Sequence, residues 1–184
     1  MLQALNLYKV HLLPADLALV GLLTTLTALR CECFLPEGTQ PLTSLASLSR
    51  LRQLHLTVLS GSSGTLQLPS SLSALSGIEA LSLRCRSSDL NTEAPVPCLQ
   101  LPWAWCQAAT QVTHVRLQYV DLPDVGGSSD SVIFPAMRSL CIDSPSDASR
   151  EALGRCQALR TLELDSVCLG TAGWAAISTL PQLE

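Results

Sequence analysis

A six-residue pattern recurs along this chain: an aliphatic residue, two variable residues, an aliphatic, one variable residue, then another aliphatic. This recurrence constrains the fold more than any other feature. Its copies are LQALNL at 2–7, LTALRC at 26–31, LRQLHL at 51–56, IEALSL at 78–83, VTHVRL at 112–117, MRSLCI at 137–142 and LRTLEL at 159–164, and an eighth opens at Leu183. Successive first positions lie 24, 25, 27, 34, 25, 22 and 24 residues apart. Leucine supplies 38 of the 184 residues, so the aliphatic positions are filled far more uniformly than ordinary composition would fill them.

Within each copy the last aliphatics alternate with polar residues, as in Leu54-His55-Leu56 or Leu162-Glu163-Leu164. That is the period of a strand with one buried face. Between the hexads the apolar residues change to helical spacing, as in Leu17, Val20, Leu23 and Leu26, or Leu42, Leu45, Leu48 and Leu51. Pro14 and Pro41 suit first helical positions, and Ser146 or Asp147 suits the cap before the segment ending at Leu159. Each repeat therefore reads as strand, turn, helix, turn. A connection of about 18 residues carrying one helix suits parallel neighbours, which cannot be joined by a tight hairpin. One repeat cannot bury its own leucines, so stability must come from stacking.

The seven in-phase hexads resemble those of the leucine-rich repeat superfamily, and the likeness runs from Leu2 to Leu183. LRTLELDSVCLGTAGWAAISTLPQLE at 159–184 is most similar to intracellular repeats of the ribonuclease-inhibitor and F-box-associated kind. The resemblance implies an α/β fold: a right-handed solenoid, or horseshoe, with a parallel sheet on its concave face and helices on its convex face. It also implies one domain of about seven repeats over 1–184. The family pattern places Asn or Cys three residues after the last strand aliphatic, where its side chain bonds the turn backbone. Val10, Phe34, Leu59, Arg86, Val120, Pro145 and Val167 stand there instead, so the turn must satisfy its backbone groups in another way. Neither end leaves room for a polar cap, which leads us to expect a segment of a longer algal or plant repeat protein, or end-to-end stacking through open termini.

Composition removes several functional classes. A formal charge of −4 and a pI near 5.3 argue against nucleic-acid binding, which needs a basic surface. Eight cysteines include no pair separated by two residues, and His11, His55 and His114 do not stand at zinc-ligand intervals; no metal or cofactor is expected. The cysteines read as reduced thiols of a cytoplasmic or nuclear protein. Val10–Leu29 is apolar enough to raise a membrane span, but Pro14 and Asp16 interrupt it and its distal part falls into the repeat register, so no membrane insertion is expected. Ser62 and Ser63 in SGSSG at 60–64 lack the glycine spacing of a nucleophile elbow, and Gly126-Gly127 does not join a strand to a helix. A catalytic role is not expected.

If alternate strand residues share one face, the central exposed positions are Asn6, Arg30, His55, Ser82, Arg116, Cys141 and Glu163. Neighbouring columns add Arg84 and His114 to a basic group, and Asp143 and Asp165 join Glu163 at an acidic end. Such a strip can fix the register of a protein partner of mixed charge, although the same positions also read as ordinary solvated strand residues. Tyr8 and Tyr119 lie beside it as aromatic candidates. The long repeat predicts an inserted surface loop at 86–98, stiffened by Pro95 and Pro97, with Trp103 and Trp105 following on the helical side, where at most one can face the core. The expected function is a non-catalytic protein-interaction module that binds a protein through the sheet face. The alternative is a structural spacer within a longer repeat protein, such as an F-box substrate receptor, an immune receptor or an axonemal scaffold.

Overall fold

The structure is a computed structural model that describes residues 1–35, 41–61, 65–87, 98–123, 132–143, 149, 152–166 and 169–184. The protein is α/β, with an open parallel sheet of seven strands. These strands are β1 (Ala4–Leu12), β2 (Ala28–Leu35), β3 (Gln53–Ser60), β5 (Ala80–Ser87), β7 (His114–Gln118), β9 (Ser139–Asp143) and β10 (Thr161–Asp165). They lie side by side in chain order, each parallel to its neighbours. Every one of the seven hexads contributes a strand.

The register follows the hexads. Leu5, Leu29, Leu54, Leu81, Val115, Leu140 and Leu162 form one continuous row, and Leu7, Cys31, Leu56, Leu83, Leu117, Ile142 and Leu164 form the next. Between the edge strands these residues are at most 3 % exposed. On the outer strands Leu5, Leu7, Leu162 and Leu164 are only partly buried, because each has a neighbour on one side alone.

A second, smaller parallel sheet lies outside the hexad pattern. It orders β4 (Thr65–Gln67), β6 (Cys98–Gln100) and β8 (Val120–Asp121). Its Leu99 and Val120 are fully buried and belong to the same apolar core as the large sheet.

The helix expected between every pair of strands is a correction. Among the described residues α-helices span α1 (Pro14–Gly21), α2 (Trp103–Ala108) and α3 (Gly170–Ser178), and Ser149 and Ala152 between β9 and β10 are α-helical as well. The segment with leucines at 42, 45 and 48 is instead a 3-10 helix, Pro41–Ser47, and further 3-10 turns span Ser70–Ala74 and Leu153–Arg155. A spacing of three residues matches the 3-10 period as well as the α period, and each of these leucines is fully buried. Pro14 opens α1 as expected, and the Asp16 carboxylate accepts a hydrogen bond from the Leu13 backbone N–H at 2.9 Å. The apolar stretch 10–29 is thus divided between β1, α1 and β2, and among the described residues no helix is long and apolar enough to cross a membrane.

The missing Asn or Cys at the end of the hexad has a structural answer. In β2, β3 and β5 the strand simply continues, so that Phe34, Leu59 and Arg86 stay in the parallel ladder, Leu59 between two strands and Phe34 and Arg86 each paired with β3. Cys33, Val58 and Cys85, one residue earlier, point into the core and are fully buried. Trp105 is fully buried in the core, and Trp103, half-buried beneath the Arg155 guanidinium at 5.7 Å, packs against the core as well, a correction to the expectation that at most one of the two rings faces it. Of the loop expected at 86–98, Arg86 and Ser87 belong instead to β5 and Cys98 to β6; 88–97, with Pro95 and Pro97, lies outside the described residues, as do Ser62, Ser63, Gly126, Gly127, Ser146, Asp147 and Cys168.

Candidate functional site

Strand alternation places every second side chain of the large sheet on the face opposite the core. The central row on that face is Asn6, Arg30, His55, Ser82, Arg116, Cys141 and Glu163, in register from one edge strand to the other. To one side runs Ala4, Ala28, Gln53, Ala80, His114, Ser139 and Thr161. To the other runs Glu32, Thr57, Arg84, Gln118, Asp143 and Asp165. Of the expected residues, Arg30, His55 and Arg116 share the middle row, His114 stands in the first, and Arg84 stands in the third with Asp143 and Asp165.

The small side chains of Ala4, Ala28 and Ala80 leave a hollow of about 480 Å³ over the first and middle rows, reaching from β1 to β9. A second depression of about 170 Å³ lies over the middle and third rows and shares Arg30, His55, Ser82 and Arg116 with the first. Around it stand four guanidinium groups, Arg30, Arg84, Arg86 and Arg116, with Glu32 as the carboxylate. These are four of the eleven basic residues in a chain whose net charge is negative, so the local field opposes the global one.

Local features of β1 build one wall. Its pairing with β2 passes from Leu7 opposite Cys31 to His11 opposite Glu32, so Tyr8, Lys9 and Val10 form an extra bulge. Lys9 adopts φ 63° and the Asn6 Oδ1 accepts the Tyr8 backbone N–H at 3.1 Å, which turns the chain over the sheet. The Tyr8 ring thereby stacks on the Arg30 guanidinium, 4.3 Å from its centroid. His11 Nε2 lies 3.4 Å from Glu32, the one carboxylate around the smaller depression among the described residues.

The electrostatics change along the sheet. His55 is held below its ordinary 6.5 by burial, then by Arg30, Arg116 and Arg84, so near neutrality the imidazole is uncharged. At the far end Asp143 and Asp165 are direct neighbours, and Gln118 Nε2 donates to Asp143 Oδ2 at 2.9 Å. Cys141 is raised by burial and then by Glu163, which leaves its thiol protonated. A basic region over β2–β7 thus gives way to an acidic one over β9–β10.

Two expectations change. Tyr119 does not border the depressions: it lies between β7 and β8 with φ 52°, packs partly against the core, and its carbonyl accepts the Leu99 N–H at 3.1 Å. Glu32, Arg86 and His11 belong to the site although they were not singled out. Glu32 and Arg86 were legible by counting two residues onward from Arg30 and Arg84, whereas His11 is displaced into register only by the bulge. Among the described residues no group of three His, Cys, Asp or Glu could hold a metal ion. The chain matches no protein-family model, and no curated protein sequence matches it significantly.

Proposed function

We propose that this chain is a leucine-rich repeat solenoid that acts as a non-catalytic protein-interaction module, docking a partner protein on the sheet face away from the core. The observation that carries the reading is the single row from Asn6 to Glu163, kept in register across seven strands. It gives side chains of opposite charge fixed separations on one surface, which is what selects a partner of mixed charge and its orientation. In-register hexads and chain-order stacking support the repeat reading, and the extended strands in place of an Asn turn mark a variant of it. The five fully or nearly fully buried cysteines, Cys31, Cys33, Cys85, Cys106 and Cys156, serve as small core residues, which suits a reducing compartment and supports a cytoplasmic location.

A photo-crosslinking residue placed at Ser82 should give protein adducts, while the same residue at Gln107 on α2 should not. Reversing Arg30, Arg84 and Arg116 to glutamate should abolish those adducts with an unchanged circular dichroism spectrum. Equal labelling from both positions, or adducts that survive the triple reversal, contradicts the reading. A second reading, a spacer within a longer repeat array, is favoured by the half-buried leucines of β1 and β10. It predicts no adducts at Ser82.

A further inference from the structure

From the arginine-lined depression beside His55 we infer the chemistry of the partner: the site takes the phosphate of a phosphoserine or phosphothreonine in an extended segment, with a lysine or arginine three to four residues away. This inference rests on the interaction reading above and specifies its ligand. Arg30, Arg84, Arg86 and Arg116 surround a space of about 170 Å³. The ion pairs between described residues are His11–Glu32 and Arg52–Glu79, and neither uses these four guanidinium groups. Arg30 Nε and Arg84 Nε are buried and have no acceptor among the described residues. A buried donor without an acceptor is unfavourable, and it adds to a cluster whose terminal guanidinium N–H groups line one space with a single carboxylate, which makes the depression a preorganised anion site.

The geometry favours a phosphate over a carboxylate. Four guanidinium groups face one carboxylate, Glu32, which already engages His11, so a single negative charge leaves most of the cluster uncompensated. A phosphate monoester brings close to two charges and three acceptor oxygens, and guanidinium forks bind it through paired hydrogen bonds. Stacking of Arg30 on Tyr8 fixes one of these forks in advance.

The rest of the face identifies what carries the phosphate. The depression shares Arg30, His55, Ser82 and Arg116 with the larger hollow over Ala4, Ala28 and Ala80, whose small side chains leave room for a polypeptide backbone. Asp143, Glu163 and Asp165 continue the same face. They repel an anionic lipid surface or an extended polyanion and attract a cation instead. At roughly 4.8 Å between strands, β10 lies about 10 Å from Arg116 on β7 and about 14 Å from Arg84 on β5. An extended peptide covers that distance in about three to four residues.

The test uses the full 184-residue chain and fluorescent degenerate peptide pools that share a fixed central phosphoserine, serine or glutamate. A lysine is then moved stepwise away from the phosphoserine. The phosphoserine pool should bind at least about tenfold more tightly than the serine pool, the scale of one charge-assisted hydrogen bond. Binding should peak with lysine at the third or fourth position. Arg84→Gln and Arg116→Gln should each remove about tenfold of the affinity. If a variant fails to fold, the side-chain Nε–H signals of Arg30 and Arg84 in the unaltered protein decide, and they should shift with the phosphoserine pool but not with serine. Equal binding of the phosphoserine and serine pools overturns the inference, as do unshifted Nε–H signals or stronger binding to phosphatidylcholine vesicles containing phosphatidic acid. Crosslinking at Ser82 that phosphatase treatment leaves unchanged overturns this inference while sparing the interaction reading; absence of any crosslink at Ser82 overturns both.

Discussion

His55 is the residue whose chemistry most directly reports the state of the basic cluster. Its lowered folded value, caused first by burial and then by Arg30, Arg116 and Arg84, means that the unfolded chain takes up a proton before the folded one as pH falls. The stability it contributes is therefore complete above its ordinary 6.5 and is lost as pH falls through the depressed folded value. An NMR titration of the imidazole should give a midpoint below 6.5, and Arg30→Gln should move that midpoint upward. A midpoint at or above 6.5 would contradict the described placement of the arginines. The core thiols act in the opposite sense. Burial pushes Cys31 up to about 12 and Cys85 up to about 11, from an ordinary 9.0. Their contribution is complete below 9.0 and is lost as pH rises toward those folded values, because the unfolded thiols ionise first. Thermal unfolding followed between neutral and alkaline pH should show a loss of stability above 9.0 that Cys85→Ala makes shallower.

At the scale of the element, the close approach of α1 to the following 3-10 helix sets a testable limit. A Cβ at Gly21 would stand 2.5 Å from the Ser44 carbonyl oxygen, and Ser47 Oγ donates to the Gly21 carbonyl across the same gap. Gly21→Ala should cost about 1 to 3 kcal/mol in chemical denaturation, since backbone must move to admit the methyl group. An unchanged midpoint would show that the two segments are not this close. The same scale separates what was legible in the sequence from what was not. Alternation such as Leu54-His55-Leu56 identified each strand of the large sheet, and a period of two also placed Arg30, His55 and Arg116 on one row. The leucines at 42, 45 and 48 could not distinguish a 3-10 from an α-helix, because a spacing of three fits both. Strands as short as Thr65–Gln67 and Val120–Asp121 contain too few residues to show alternation, so the second sheet was hidden. The bulge at Tyr8 to Val10 depends on an Asn6 side chain replacing a strand partner, and no apolar pattern records that exchange.

For the whole molecule, a stacked sheet predicts that the same substitution costs more in the middle than at an edge. Leu56 is fully buried between two strands, whereas Leu162 on β10 is only partly buried. Leu56→Ala should cost about 2 to 5 kcal/mol, and Leu162→Ala clearly less, by urea denaturation of the two variants. Equal losses would argue against an ordered stack with distinct edges. The functional reading depends on the same order, since the arginine cluster and the acidic end acquire a fixed separation only if every hexad pairs with its chain neighbours. The most direct measurement is an electron–electron distance between spin labels on unnatural amino acids at Asn6 and Glu163, which leaves the eight native cysteines untouched. Six intervals of roughly 4.8 Å predict a narrow distribution centred near 29 Å, somewhat shorter if the sheet is curved. A broad distribution, or one centred beyond about 40 Å, would contradict the side-by-side arrangement of the seven strands.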